Sequence, residues 1–106
     1  MGATPDPAAV RAELEAILAS SGFAGAGRLS RFLRFAVEKT LAGEGADLKE
    51  YLIGLEVYGR KENFDPREDS IVRVEASRLR AKLGEYYDAA GRGAVVRIRL
   101  HKGGYL

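Results

Sequence analysis

Hydrophobic side chains recur at helical spacing early in the chain and predict two amphipathic helices. Asp6 is placed to cap the first helix and Pro7 to occupy its first turn; its stripe consists of Val10, Leu14, Ile17 and Leu18. The stripe of the second helix, within residues 28–43, consists of Leu29, Phe32, Leu33, Ala36 and Val37. Residues 22–27 between them read GFAGAG, and because this stretch follows no strand, a flexible connector is favoured over a phosphate-binding loop.

A third, shorter helix is predicted to begin at Asp47, whose side chain forms a capping box with Glu50. Its hydrophobic stripe consists of Leu48, Tyr51, Leu52 and Leu55. A glycine inside a helix costs about 1 kcal/mol relative to alanine, so Gly54 indicates that another backbone packs closely there. The polar segment 60–70 contains an Asp-Pro step that disfavours helix, and it predicts a structured loop anchored by Phe64.

The longest helical pattern, IVRVEASRLRAKLGEYY, occupies residues 71–87 and is predicted to continue to about residue 90. Its core stripe consists of Val72, Ala76, Leu79 and Leu83. The opposite side carries only small or medium-sized residues, Ser70, Val74, Ser77 and Ala81. Two cations flank each margin of that side, Arg73 with Arg80 and Arg78 with Lys82.

The last residues alternate as in a β-strand. Val96, Ile98 and Leu100 alternate with Arg97 and Arg99, and a glycine pair follows Lys102. The chain is therefore predicted to be mainly α-helical with a small β-hairpin at its C-terminus.

Composition indicates one soluble globular domain of 106 residues, 46% hydrophobic and 30% charged. The absence of cysteine excludes a disulfide framework and a thiolate zinc site. No apolar run approaches the roughly 18 residues of a membrane span, and the N-terminus lacks a signal-peptide pattern, so we expect a cytoplasmic protein. The formal charge of +2 is uneven, because residues 70–106 contain 8 Lys/Arg and 3 Asp/Glu, a net +5. Such asymmetry indicates an anionic partner, most commonly nucleic acid.

The fourth predicted helix has the properties that the DNA major groove requires. A helix entering this groove, which is about 12 Å wide, needs a slim leading face and marginal cations that reach phosphates and guanine acceptors. Arginines on an exposed helix face also serve solubility, so this helix alone does not establish DNA binding. The basic hairpin with Arg97, Arg99, His101 and Lys102 strengthens the prediction of DNA binding. Glu75 is expected to form a surface pair that orients Arg78; acceptance from a cytosine amino group is the alternative.

The string VRVEASRLRAKL, followed by RIRLHKGGYL, resembles the recognition helix and wing of OmpR/PhoB-type winged-helix effector domains, over about residues 48–106. The resemblance implies a single winged helix-turn-helix domain with four helices. Its parts would be an N-terminal helical part in 1–46, the helix-turn-helix in 47–90 and a truncated wing in 94–106.

The same resemblance assigns roles to individual residues. It implies a base-edge contact for Arg78, a phosphate contact for Arg80 and a minor-groove contact for Lys102. Arg73 stands where that family has an acidic residue, so its contact is inferred from helix geometry. The family's N-terminal sheet is missing, and the segment is also similar to N-terminal modules of larger bacterial signalling proteins.

The predicted function is sequence-specific binding of double-stranded DNA by a bacterial transcriptional regulator, and binding as a homodimer stays open. The predicted contacts are Arg73, Ser77, Arg78, Arg80, Lys82, Arg97, Arg99 and Lys102. The alternative is a winged-helix module that docks an acidic partner protein. Catalysis would need a clustered acid, base or nucleophile, whereas the chain has one histidine, so no enzyme is predicted. No cofactor, metal, membrane or small-molecule partner is predicted either.

Overall fold

The computed structural model describes residues 6–43 and 49–100, and the regular structure in these ranges is entirely helical. Five helices follow one another along the chain: α1 Pro7–Ala19, α2 Ser21–Ala24, α3 Gly27–Leu41, α4 Glu50–Glu56 and α5 Ile71–Asp88. None of these helices is both long and apolar enough to span a lipid bilayer.

The predicted hydrophobic stripes of α1, α3 and α5 form most of the core. In α1, Leu14 and Ile17 are buried, and in α3 all five predicted positions are buried. The stripe of α5 is confirmed in full, with Val72 and Leu79 both at 0% exposure. The Asp6 side chain caps α1 as predicted, accepting a hydrogen bond of 3.4 Å from the Ala8 N–H.

The GFAGAG segment is packed rather than an open connector. The first helix ends at Ala19 because Ser20 is extended, and the Ser20 N–H and hydroxyl both donate to the Ile17 carbonyl. The chain then forms the single turn of α2, in which Phe23 is only 2% exposed. The Ser30 hydroxyl of α3 donates to the Phe23 carbonyl at 3.2 Å. Phe23 therefore belongs to the core, while the rest of this turn is exposed.

The hydrophobic face predicted for the third helix is wrong. The buried residues of α4 and its C-terminal end are Ile53, Gly54 and Val57, whereas Tyr51 is 41% exposed. Because α4 covers barely two turns and is apolar at most positions, its period cannot select a face. The predicted cap Asp47 lies outside the described residues, and α4 begins after Lys49 with no side-chain cap.

The loop between α4 and α5 is anchored by Phe64, as predicted. The Phe64 side chain is 8% exposed and its ring lies against Gly54. A Cβ atom on Gly54 would lie 2.7 Å from Cδ2 of this ring. The close neighbour of Gly54 is thus an aromatic side chain and not the backbone that the sequence suggested.

The predicted C-terminal β-hairpin is wrong, and with it the four-helix winged helix-turn-helix fold. Residues 94–100 contain no strand, although Ile98 and Leu100 are at least partly buried while Arg97 and Arg99 are exposed. Alternating burial needs only one side packed on the core, but a strand also needs backbone pairing. The Ile98 N–H instead donates to the Tyr87 hydroxyl at 2.7 Å. Residues 101–106, the rest of the predicted wing, lie outside the described residues.

Candidate nucleic-acid interface

The side of α5 opposite its core stripe forms an exposed ridge of small side chains. Ser70, Ser77 and Ala81 are exposed, and Val74 is 41% exposed. Gly84 extends the ridge, since a Cβ atom added there would meet nothing within 4 Å. From residue 70 to residue 84 the ridge is about 21 Å long at 1.5 Å per residue. The rotation of this helix is therefore as predicted.

The loop before α5 holds the beginning of the ridge in place. Ser70 occupies the N-cap position without a side-chain cap, while Asp69 Oδ1 accepts a hydrogen bond of 3.1 Å from the Ile71 N–H. Asp69 also pairs with Arg60 Nε at 2.8 Å. The Arg60 guanidinium, and after it the Ile71 N–H, lowers the pKa of the Asp69 carboxyl. The start of α5 is thus tied to the preceding loop.

Arg73 lies at one margin of the ridge and is held by α4. Its Nη1 atom is 2.6 Å from Glu50 Oε2, and 49% of the Arg73 side chain is exposed. The ion pair fixes the side chain between the two helices. Its exposed half remains accessible to a partner.

Arg78 lies at the other margin and shares a buried carboxylate with Arg28 of α3. Arg78 Nη1 is 3.1 Å from Glu75 Oε2, and Arg28 Nε is 3.5 Å from Glu75 Oε1. Glu75 is 3% exposed, whereas 67% of the Arg78 and 59% of the Arg28 side chain is exposed. The expected surface pair with Arg78 is therefore partly buried, and the Glu75 carboxylate is too enclosed to accept a hydrogen bond from cytosine.

Tyr58 lies next to Arg28. The Arg28 guanidinium is 5.8 Å from the centroid of the Tyr58 ring, and Phe32 meets that ring edge-on at 6.0 Å. The Tyr58 hydroxyl is buried and has no hydrogen-bond partner within residues 6–43 and 49–100. Burial, and after it the Glu75 charge, raises the pKa of Tyr58. The Tyr58 ring thus packs against Arg28 and is itself held by Phe32.

Arg80, Arg97 and Arg99 gather around a separate cavity of about 370 Å³ on the Arg73 side of α5. The Arg97 guanidinium lies 5.2 Å from the centroid of the Tyr87 ring and donates to the Arg92 carbonyl at 2.8 Å. The structure therefore brings these three predicted contacts together, but away from Arg78.

Tyr87 attaches the segment that carries Arg97 and Arg99. Its hydroxyl donates to Glu13 Oε2 at 2.8 Å while accepting from the Ile98 N–H. The Tyr87 hydroxyl thus links this segment to α5 and α1, and Arg97 and Arg99 are exposed.

The remaining predicted contacts differ in position. Lys82 Nζ donates to the Gly22 carbonyl at 2.9 Å, so this cation joins α5 to α2. Lys102 and His101 lie outside the described residues. Arg28 was not among the predicted contacts, although the acidic Glu75 beside the core stripe of α5 indicated a need for cationic partners.

Comparison with protein-family models, curated proteins and solved structures yields no significant match for this chain. The resemblance to OmpR/PhoB-type domains therefore depends on the motif in α5 and the segment after it. Within the part of the chain that the structure describes, no three His, Cys, Asp or Glu side chains are grouped to hold a metal ion.

Proposed function

We propose that this chain is a sequence-specific double-stranded DNA-binding module of a bacterial transcriptional regulator, acting in the cytoplasm. The exposed ridge of α5 enters the major groove. The observation that supports this most directly is the ridge of small side chains with a carboxylate-held arginine on each side, Arg73 and Arg78.

The ridge matches what base edges offer in the major groove. With no large side chain along it, the α5 backbone can approach the floor of a groove about 12 Å wide. The Ser77 hydroxyl can donate to or accept from a base, and the Ala81 and Val74 methyl groups suit the methyl group of thymine. Arg78 is placed to reach guanine from the margin.

The distribution of charge favours insertion of the N-terminal part of α5. Arg73 and Arg78 both lie in the N-terminal half of α5. Glu85 and Asp88 are exposed near the C-terminal end and would repel a phosphate backbone. Arg80, with Arg97 and Arg99, supplies contacts to the strand on the other side of the groove.

The proposal is tested first by selecting duplexes from a random pool and comparing affinity for a selected and a shuffled sequence at several salt concentrations. We expect preference for the selected duplex and a steep loss of affinity with salt, because each neutralised phosphate releases counterions. Binding that is equal on both duplexes would contradict the proposal and favour docking of an acidic protein.

A pair of matched variants then tests the ridge. Ala81 and Ala16 are both exposed in helix interiors, Ala81 on the ridge of α5 and Ala16 on α1. Ala81→Glu places a carboxylate inside the proposed groove contact and should abolish DNA binding without unfolding the protein. Ala16→Glu changes the net charge equally and should bind nearly as the parent does. Equal affinity of the two variants would remove the ridge from the interface.

A further inference from the structure

We infer that Arg28 of α3 contacts a DNA phosphate beside Arg78, so that the interface extends from α5 onto a second helix. Glu75 is the residue that positions both arginines. This inference rests on the function proposed above, and it adds a contact that the motif in α5 does not contain.

The Glu75 carboxylate is buried between the two arginines. An ionised carboxylate is costly to bury unless it is paired and hydrogen-bonded. At 3% exposure, Glu75 meets this condition with one arginine on each oxygen. Two cations share one anion, so the cluster retains a net positive charge where the two guanidinium groups are exposed. The cluster therefore lacks a second anion to balance its charge.

Arg28 still offers hydrogen-bond donors to a partner. Its Nε atom faces Glu75 and its guanidinium lies near the Tyr58 ring, which restricts its orientation. Arginine carries five N–H donors in a planar fork that matches phosphate oxygens. No hydrogen bond from the Arg28 terminal amino groups is found within the described residues, and 59% of the side chain is exposed. The Arg28 guanidinium therefore has a restricted orientation and can still donate hydrogen bonds to a phosphate.

The position of Arg28 relative to the ridge indicates which anion it binds. Arg78 borders the ridge of α5 that we place in the major groove, and Arg28 pairs with the other oxygen of the same Glu75 carboxylate. A duplex whose groove receives the ridge has its phosphates along the groove edges. Arg28 is therefore assigned to backbone phosphate, a contact that positions the protein and reads no base.

The experiment compares Arg28→Gln with Arg34→Gln. Both residues belong to α3 and lose the same charge, but Arg34 pairs with Glu15 of α1 at 2.8 Å, away from the cluster. Affinity for a selected and a shuffled duplex is measured by fluorescence anisotropy over a range of salt, with circular dichroism to confirm folding. Arg28→Gln should weaken binding to both duplexes by a similar factor. It should also reduce the slope of log K against log salt by about 0.9, the value for one phosphate contact.

Arg34→Gln should leave the slope unchanged. Identical slopes for Arg28→Gln and Arg34→Gln would overturn the inference. If those slopes are identical but Ala81→Glu abolishes binding in the same assay, only the Arg28 contact is refuted and the proposed function stands. If Ala81→Glu binds as the parent does, the proposed function itself fails.

The positioning role of Glu75 has its own readout. Glu75→Gln raises the net charge by one, so charge alone predicts tighter binding to every duplex. If Glu75 positions the two arginines, Glu75→Gln should bind the selected duplex more weakly. This effect should disappear in a variant in which Arg28 and Arg78 have both been replaced by glutamine. Tighter binding of the single variant would reject positioning by Glu75.

Discussion

Replacing Gly54 by alanine tests the contact between α4 and the loop that precedes α5. Intrinsic propensity favours alanine inside a helix by about 1 kcal/mol. In this structure the new Cβ atom would lie 2.7 Å from Cδ2 and 2.8 Å from Cζ of Phe64, nearer than such atoms approach in proteins. The ring is 8% exposed and stacks on Tyr51 at 6.1 Å, so it has little room to move.

Overpacking of this kind costs about 1–3 kcal/mol, which outweighs or cancels the propensity gain. We expect Gly54→Ala to reduce the free energy of unfolding by about 1 kcal/mol and to lower Tm by roughly 4–8 °C. Gly84→Ala is the matched control, because its Cβ atom meets nothing within 4 Å in the interior of α5. This control should raise Tm, since only the propensity term acts.

Both variants are compared with the parent by thermal denaturation followed by circular dichroism. A rise in Tm for Gly54→Ala similar to that for Gly84→Ala would refute the contact with Phe64. The double variant Gly54→Ala, Phe64→Leu should be less destabilised than the sum of the two single changes, because the smaller side chain relieves the clash.

Three further substitutions test α5. Leu79→Ala should lower the free energy of unfolding by about 2–5 kcal/mol in urea titration, because Leu79 is fully buried; a change below 1 kcal/mol would contradict the observed rotation of the helix. Arg78→Ala should cost about 1–3 kcal/mol on the selected duplex and flatten preference at one base pair, whereas Arg80→Ala should weaken binding to all duplexes alike and lower the salt slope by about 0.9. If Arg80→Ala instead flattened preference at one base pair and Arg78→Ala weakened all duplexes alike, the base-edge and phosphate roles of the two arginines would be exchanged.

The long amphipathic helices could be predicted from the sequence because a helix of three or more turns repeats its hydrophobic face several times. The stripes of α1, α3 and α5 could therefore be predicted, and with them the exposed ridge that contains Ser77. The anchoring role of Phe64 was equally readable, since it is the one large apolar side chain in a polar segment. These features depend on local spacing, which sequence contains in full.

Features that depend on which distant groups meet were decided only by the tertiary structure. Alternation in residues 94–100 correctly indicated one buried side, but the backbone partner of Ile98 is a tyrosine hydroxyl of α5 rather than a second strand. Helix α4 is too short for its period to select a face. The pairing of Arg28 with Glu75 joins two helices far apart in sequence, and hydrophobic patterns carry no information about such contacts, because an ion pair depends on the packing that brings its partners together.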